Sequence, residues 1–139
     1  MRIGRYDLGV NASTEIRITP PGQPLANEVL EKLRDGLDGC ADLAFAHLVD
    51  VDVPERREEP GLVLFVWLVP AAMRYLRAAL NLVSETVAKA LPEDRFLDVV
   101  ILNSAPELLS DVERAGCLFV EPDAGERRRA LAAIGEQPI

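Results

Sequence analysis

Two neighbouring stretches of the chain are apolar in different ways. From Leu43 to Val53 the pattern alternates. Leu43, Phe45, His47, Val49, Val51 and Val53 fall on one side of an extended chain, and Ala44, Ala46, Leu48, Asp50 and Asp52 fall on the other. Pro54 ends that run, and Glu55 to Gly61 reads as a charged turn. Leu62 to Val69 then follows with no polar residue at all. Two such runs joined by a short charged loop predict an antiparallel hairpin.

Around the hairpin the period changes to that of helices. Glu15 to Thr19 predicts a short strand, broken by Pro20, Pro21, Gly22 and Pro24. Leu25, Val29, Leu30 and Leu33 predict an amphipathic helix stopping near Asp35-Gly36. Met73 to Leu91 predicts the longest helix, with Leu76, Leu80, Val83, Val87 and Leu91 as its apolar stripe. Arg77, Asn81, Glu85 and Lys89 lie opposite that stripe. Phe96 to Leu102 predicts another strand, and Ser104 to Glu107 a capping box opening a short helix that Gly116 closes. Cys117 to Val120 predicts a last strand. Asp123 to Glu126 is a second capping box, opening a tail helix with Ala130, Leu131 and Ile134 inward and Arg127-Arg128-Arg129 exposed.

The predicted order is β-α-β-β-α-β-α-β with a C-terminal helix. This is an α+β domain with a mostly antiparallel sheet covered by helices. We read residues 1–139 as one domain, with a core over about 14–122 and a helical tail over 123–139. The first six elements match a split β-α-β, ferredoxin-like plan, in which both helices cover one face.

Leu62 to Val69 does not fit a sheet covered on one side, because such a strand should alternate. Leaving Val63, Phe65, Trp67 and Val69 in water would forfeit roughly 6–12 kcal/mol at the usual value per side chain. That equals the net stability of a whole domain. Three covers are open: the third helix or the tail, a second copy in a two-fold homodimer, or a different protein. The leading expectation is a non-enzymatic protein-interaction domain using this apolar face.

Composition narrows the classes. A chain 49% hydrophobic and 27% charged is not disordered. A net charge of −8 argues against nucleic acid, whose phosphates need a basic surface, and against anionic membranes. The start, Met1 to Arg5, lacks the apolar core of a secretory signal, so a cytoplasmic location is expected. Cys40 and Cys117 have no metal-ligand spacing and read as small buried residues. No cofactor or metal motif is present: there is no glycine-rich phosphate loop, no G-x-S-x-G and no H-E-x-x-H.

The candidate chemistry is sparse. His47, the only histidine, would act as a base only beside a carboxylate or nucleophile. Otherwise it is a structural residue with a local hydrogen bond. Asp50 and Asp52 share a strand face and could hold a divalent cation, or stand exposed at a strand end. Asp98 marks a site if buried and an ordinary surface acid if exposed. The alternative to an interaction domain is therefore a ligand binder or hydrolytic enzyme with a site near His47, Asp50 and Asp52.

One resemblance emerges in the second half. Leu91-Pro92-Glu93-Asp94-Arg95-Phe96-Leu97-Asp98-Val99-Val100 leads from a long helix into a strand, followed by Leu109, Gly116 and Leu118-Phe119-Val120-Glu121. This resembles the C-terminal domain of the SseB family, named for enhanced serine sensitivity, over about Glu15 to Pro122. The resemblance implies a small bacterial domain linked by name to serine metabolism. It implies no catalytic residues and no cofactor.

Overall fold

In the computed structural model, which describes residues 16–54 and 59–136, the predicted order holds throughout. The elements are β1 (Arg17–Thr19), α1 (Asn27–Asp38), β2 (Leu43–Asp52), β3 (Gly61–Leu68), α2 (Leu76–Ala90), β4 (Asp98–Ile101), α3 (Leu109–Arg114), β5 (Leu118–Val120) and α4 (Ala124–Glu136). A 3₁₀ helix over Pro70–Tyr75 precedes α2, and 3₁₀ turns at Leu102–Ser104 and Pro106–Leu108 precede α3. The start of the predicted first strand at Glu15, and Glu55 to Glu58 of the charged turn, lie outside the described residues.

The apolar strand β3 sits inside the sheet, paired antiparallel with β2 and parallel with β4. Its even residues, Leu62, Leu64, Val66 and Leu68, pack with Leu33 and Leu37 of α1 and Val83 and Val87 of α2. Its odd residues, Val63, Phe65 and Trp67, pack with Leu108, Leu109 and Val112 beside α3 and with Ala130 of α4. Helices therefore cover both faces, which is why neither face of β3 is polar. Val63 is 1% exposed and Phe65 0% exposed. This corrects the interaction-face expectation. Val63 and Phe65 are core, sealed by the chain's own later elements, and Trp67 and Val69 are half-buried at the rim of the same core.

The strand pairing departs from a ferredoxin-like plan. The path is β1-β2-β3-β4, and β5 also pairs with β2. Because β3 and β4 are direct parallel neighbours, α2 is an unsplit crossover. Both short strands use the edge of β2 away from β3: β1 opposite Asp50 to Asp52, β5 opposite Ala46 and His47. A register shift between Leu43 and Phe45 puts an extra residue in β2. That bulge sends Leu43 to the α1–α2 face, whereas strict alternation grouped it with Phe45 and His47.

Two helices differ in detail from the pattern. α1 runs through Gly36 to Asp38 rather than stopping there. A Cβ at Gly36 would lie 2.7 Å from Thr86 Cγ2, so this glycine permits close approach of α1 and α2 rather than ending a helix. In α2 the fully buried positions are Ala79, Val83, Val87 and Ala90. The helix is rotated so that small residues face the sheet, and Leu80 and Leu91 lie toward its border, half-buried. Gly116, at φ +71°, follows α3 as predicted.

Candidate functional site

Two polar regions emerge, and they differ in how far they satisfy themselves. The first is the junction of β2, α3 and α4. His47 is 1% exposed, and its Nε2 lies 2.8 Å from Glu113 Oε2. Arg127 of α4 grips the same carboxylate with Nε and Nη2 and reaches Glu121 Oε2 with Nη1 at 2.8 Å. Close by, Trp67 Nε1 donates to Glu126 Oε2 at 3.1 Å and Arg129 Nε donates to Glu126 Oε1 at 3.0 Å. The capping box at Asp123 forms by half. Asp123 Oδ1 accepts the Glu126 N–H at 3.0 Å, while the Glu126 side chain is diverted to Trp67 and Arg129. Of the expected exposed arginine run, Arg128 and Arg129 are exposed, with Arg129 paired to Glu126, but Arg127 is half-buried in ion pairs, which corrects the expectation at that residue.

Burial holds the His47 pKa below its ordinary value and outweighs the opposing pull of the Glu113 charge and hydrogen bond. Burial alone would raise the Glu113 carboxyl, but hydrogen bonds and charge from Arg127 and His47 reverse that and hold it below the usual range. Hydrogen bonds from Arg127 to Glu113 and Glu121 raise the guanidinium pKa, fixing its charge. His47 thus has the carboxylate that a base requires, yet its Nδ1 is buried with no hydrogen-bond partner among the described residues. Among the described residues no nucleophile is hydrogen-bonded to it. Cys117 bonds to the Ala115 carbonyl, and burial raises its thiol pKa rather than activating it. The chemistry of this junction is a clamp that ties α4 to the sheet.

The second region lies where β3 and β4 begin. A cleft of about 540 Å³ is lined by Gly22, Asp50, Glu59, Arg95, Phe96 and Asp98, among others. A second cleft of about 520 Å³ runs between α2 and β4, lined by Leu80, Ser84, Val87, Leu91 and Val99. The two share Arg95, Phe96 and Asp98 as a common wall. Asp50 accepts the Gly22 N–H at 2.8 Å, and Arg95 donates to the Gln23 carbonyl at 2.7 Å, so the loop before α1 forms one rim. Phe96 is 75% exposed. It was expected inside a strand, but β4 begins only at Asp98, and Phe96 falls in the preceding loop.

The sequence candidates therefore separate. Asp50 and Asp98 meet in the open cleft, with Asp98 on the surface. His47 belongs to the clamp on the other face, and Asp52 sits opposite Arg17 at the sheet edge. A common site of His47, Asp50 and Asp52 is corrected accordingly: alternation along β2 sends the histidine and the two acids to opposite faces. Among the described residues no three His, Cys, Asp or Glu side chains group so as to hold a metal ion. Nor is any described helix long and apolar enough to cross a membrane. Sequence reasoning missed Glu113, Arg95 and Phe96 as site residues and read Arg127 only as part of an exposed run. The one available signal was that a buried strand histidine needs a partner. No family model, curated protein or solved structure matches the chain.

Proposed function

We propose that the chain is a non-enzymatic binding domain whose recognition site is the groove along α2 and β4. The observation that carries this reading is the pair of joined clefts beside the outer edge of β4, with Phe96 standing exposed between them. Concave, mostly apolar clefts with a few polar groups at one end are the usual form of a binding site. β4 pairs only with β3 among the described residues, so its other edge offers backbone hydrogen bonds to an extended ligand. An SseB-type affiliation is compatible with this reading and adds no residue roles to it. Selection of random peptides displayed on phage tests the proposal. Ser84 is exposed on α2 inside the groove, so Ser84→Trp fills the groove without disturbing the core. Selected peptides are expected to bind the wild-type chain and lose binding to Ser84→Trp. Peptides that bind both equally would place recognition elsewhere.

A further inference from the structure

Resting on that reading, we propose that the groove takes an extended segment of a partner protein carrying a lysine or arginine. The segment lies along β4, its cationic side chain at the acidic end over Phe96 and its apolar side chains against α2.

The edge sets the backbone part. β4 contributes Asp98 to Ile101 as the outermost strand of the path, without a proline or a bulge. Beyond Ile101 the backbone leaves the sheet for a 3₁₀ turn, and the Asn103 side chain continues the pairing with β3. Asn103 accepts the Leu68 N–H at 2.8 Å and donates to the Leu68 carbonyl at 3.0 Å, imitating a strand residue. The open edge is thus bounded to four residues, about 13 Å of extended chain. A strand added there would place alternate side chains over Leu80, Val87, Leu91 and Val99.

Charge sets the chemistry of the end group. Among the described residues, Asp50, Glu59 and Asp98 line the cleft at the start of β4 against a single cation, Arg95; Asp50 accepts the Gly22 N–H and the Arg95 guanidinium donates to the Gln23 carbonyl. An aromatic face beside carboxylates favours an ammonium or guanidinium group. An anionic side chain would meet a net negative wall on a chain of net charge −8. A second copy of the chain would bring its own carboxylates to the same edge, so a basic partner fits better than self-pairing.

The test is fluorescence polarisation with three labelled peptides on the full chain. The probes are a lysine followed by alternating valine and threonine, and the same peptide with glutamine or glutamate replacing the lysine. The lysine peptide is expected to bind roughly tenfold tighter than the glutamine peptide, the sum of one exposed cation–aromatic contact and weak ion pairs. The glutamate peptide should be weakest. Added salt and Asp98→Asn should both shrink the lysine preference, and Ser84→Trp should abolish all binding. Equal binding of the lysine and glutamine peptides, still blocked by Ser84→Trp, would overturn the cationic end group and leave the groove reading standing. No binding by any peptide, or binding insensitive to Ser84→Trp, would overturn both. Two further outcomes also overturn the proposal. One is peptide affinity that falls as protein concentration rises, with light scattering showing a dimer, which assigns the groove to a second copy. The other is a shift of groove resonances on Arg2→Ala/Arg5→Ala without peptide, which assigns it to residues 1–15 of the chain itself.

Discussion

The two faces of β2–β3 and the outer edge of β4 use similar ingredients to opposite ends. On the α3–α4 side, Phe45 and Trp67 stack at 5.9 Å between ring centres, His47, Glu113, Arg127 and Glu121 form one bonded chain, and Glu126 accepts from Trp67 and Arg129. Aromatics there are covered and charges are paired. At β4, among the described residues, Phe96 is uncovered, three carboxylates, of which Asp50 accepts one backbone N–H, face one engaged arginine, and the strand lacks an outer neighbour. The difference is that α4 was available to seal the first region. Groups that satisfy themselves stabilise a fold, whereas groups left unsatisfied in a concave surface are free to recognise something else.

The largest expected contrast is between two phenylalanines. Phe65→Ala should cost about 3–5 kcal/mol in urea unfolding, because Phe65 is fully buried under α3 and α4. Phe96→Ala should stay within about 0.5 kcal/mol, as for an ordinary surface change. A Phe96 cost equal to that of Phe65 would mean that the groove is core and would break the comparison.

Next in size is the clamp itself. Glu113→Ala strands His47 and leaves Arg127 with Glu121 alone, and should cost roughly 1–3 kcal/mol. Trp67→Phe removes one donor from Glu126, which is 6% exposed, and should cost about 1 kcal/mol. Both variants should leave peptide binding at the groove unchanged.

Acid should loosen the sealed face in two stages. The folded chain holds the His47 pKa below 6.5, so the unfolded chain takes up that proton first. Stability is then full above about pH 6.5 and declines as pH falls toward the lowered value. The Glu113 carboxyl is held below its ordinary 4.5, so its contribution persists above that value and is lost only as pH falls through the lower one. Urea midpoints measured from neutral to acid pH should fall accordingly, and His47→Gln should remove the upper stage and leave the lower. A midpoint that rose on acidification to pH 5 would contradict the sign of the His47 shift.

A further contrast tests the packing of α1 against α2, the wall behind the groove. Gly36→Ala should push Thr86 and α2 outward and cost about 1–2 kcal/mol. Adding Thr86→Ser removes the clashing methyl and should restore most of it, as a double-mutant cycle would record.

Much of the fold was legible because its elements carry strong periods. The order of strands and helices, the hairpin and the Gly116 cap follow from alternation, from the 3.6-residue spacing and from turn residues. The doubly apolar strand also signalled that something covers its second face, although not which cover. What was illegible depended on long-range placement. The bulge at Leu43–Phe45 leaves no mark in composition, and the parallel pairing of β3 and β4 depends on where α2 returns the chain. The rotation of α2 toward Ala79 and Ala90 was hidden because leucines dominate any hydrophobic stripe, while the tight packing prefers the small residues. At the sites, Asp50 and Asp98 were visible as candidates. Glu113 and Arg127 were not, since their contact with each other and with His47 spans separations that no local pattern records. Phe96 was misplaced by two residues, enough to turn an inward side chain into an exposed one.

The most direct test sets the two regions against each other in one spectrum. The amide resonances of the labelled full chain would be followed by NMR during titration with the lysine-anchored peptide. Binding at the groove should confine the shifts to Leu80 through Leu91 on α2 and to Arg95 through Ile101, with His47, Glu113, Trp67 and α4 undisturbed. Shifts centred on the clamp, with the β4 edge silent, would contradict the assignment and make the sealed face the one that opens to a partner.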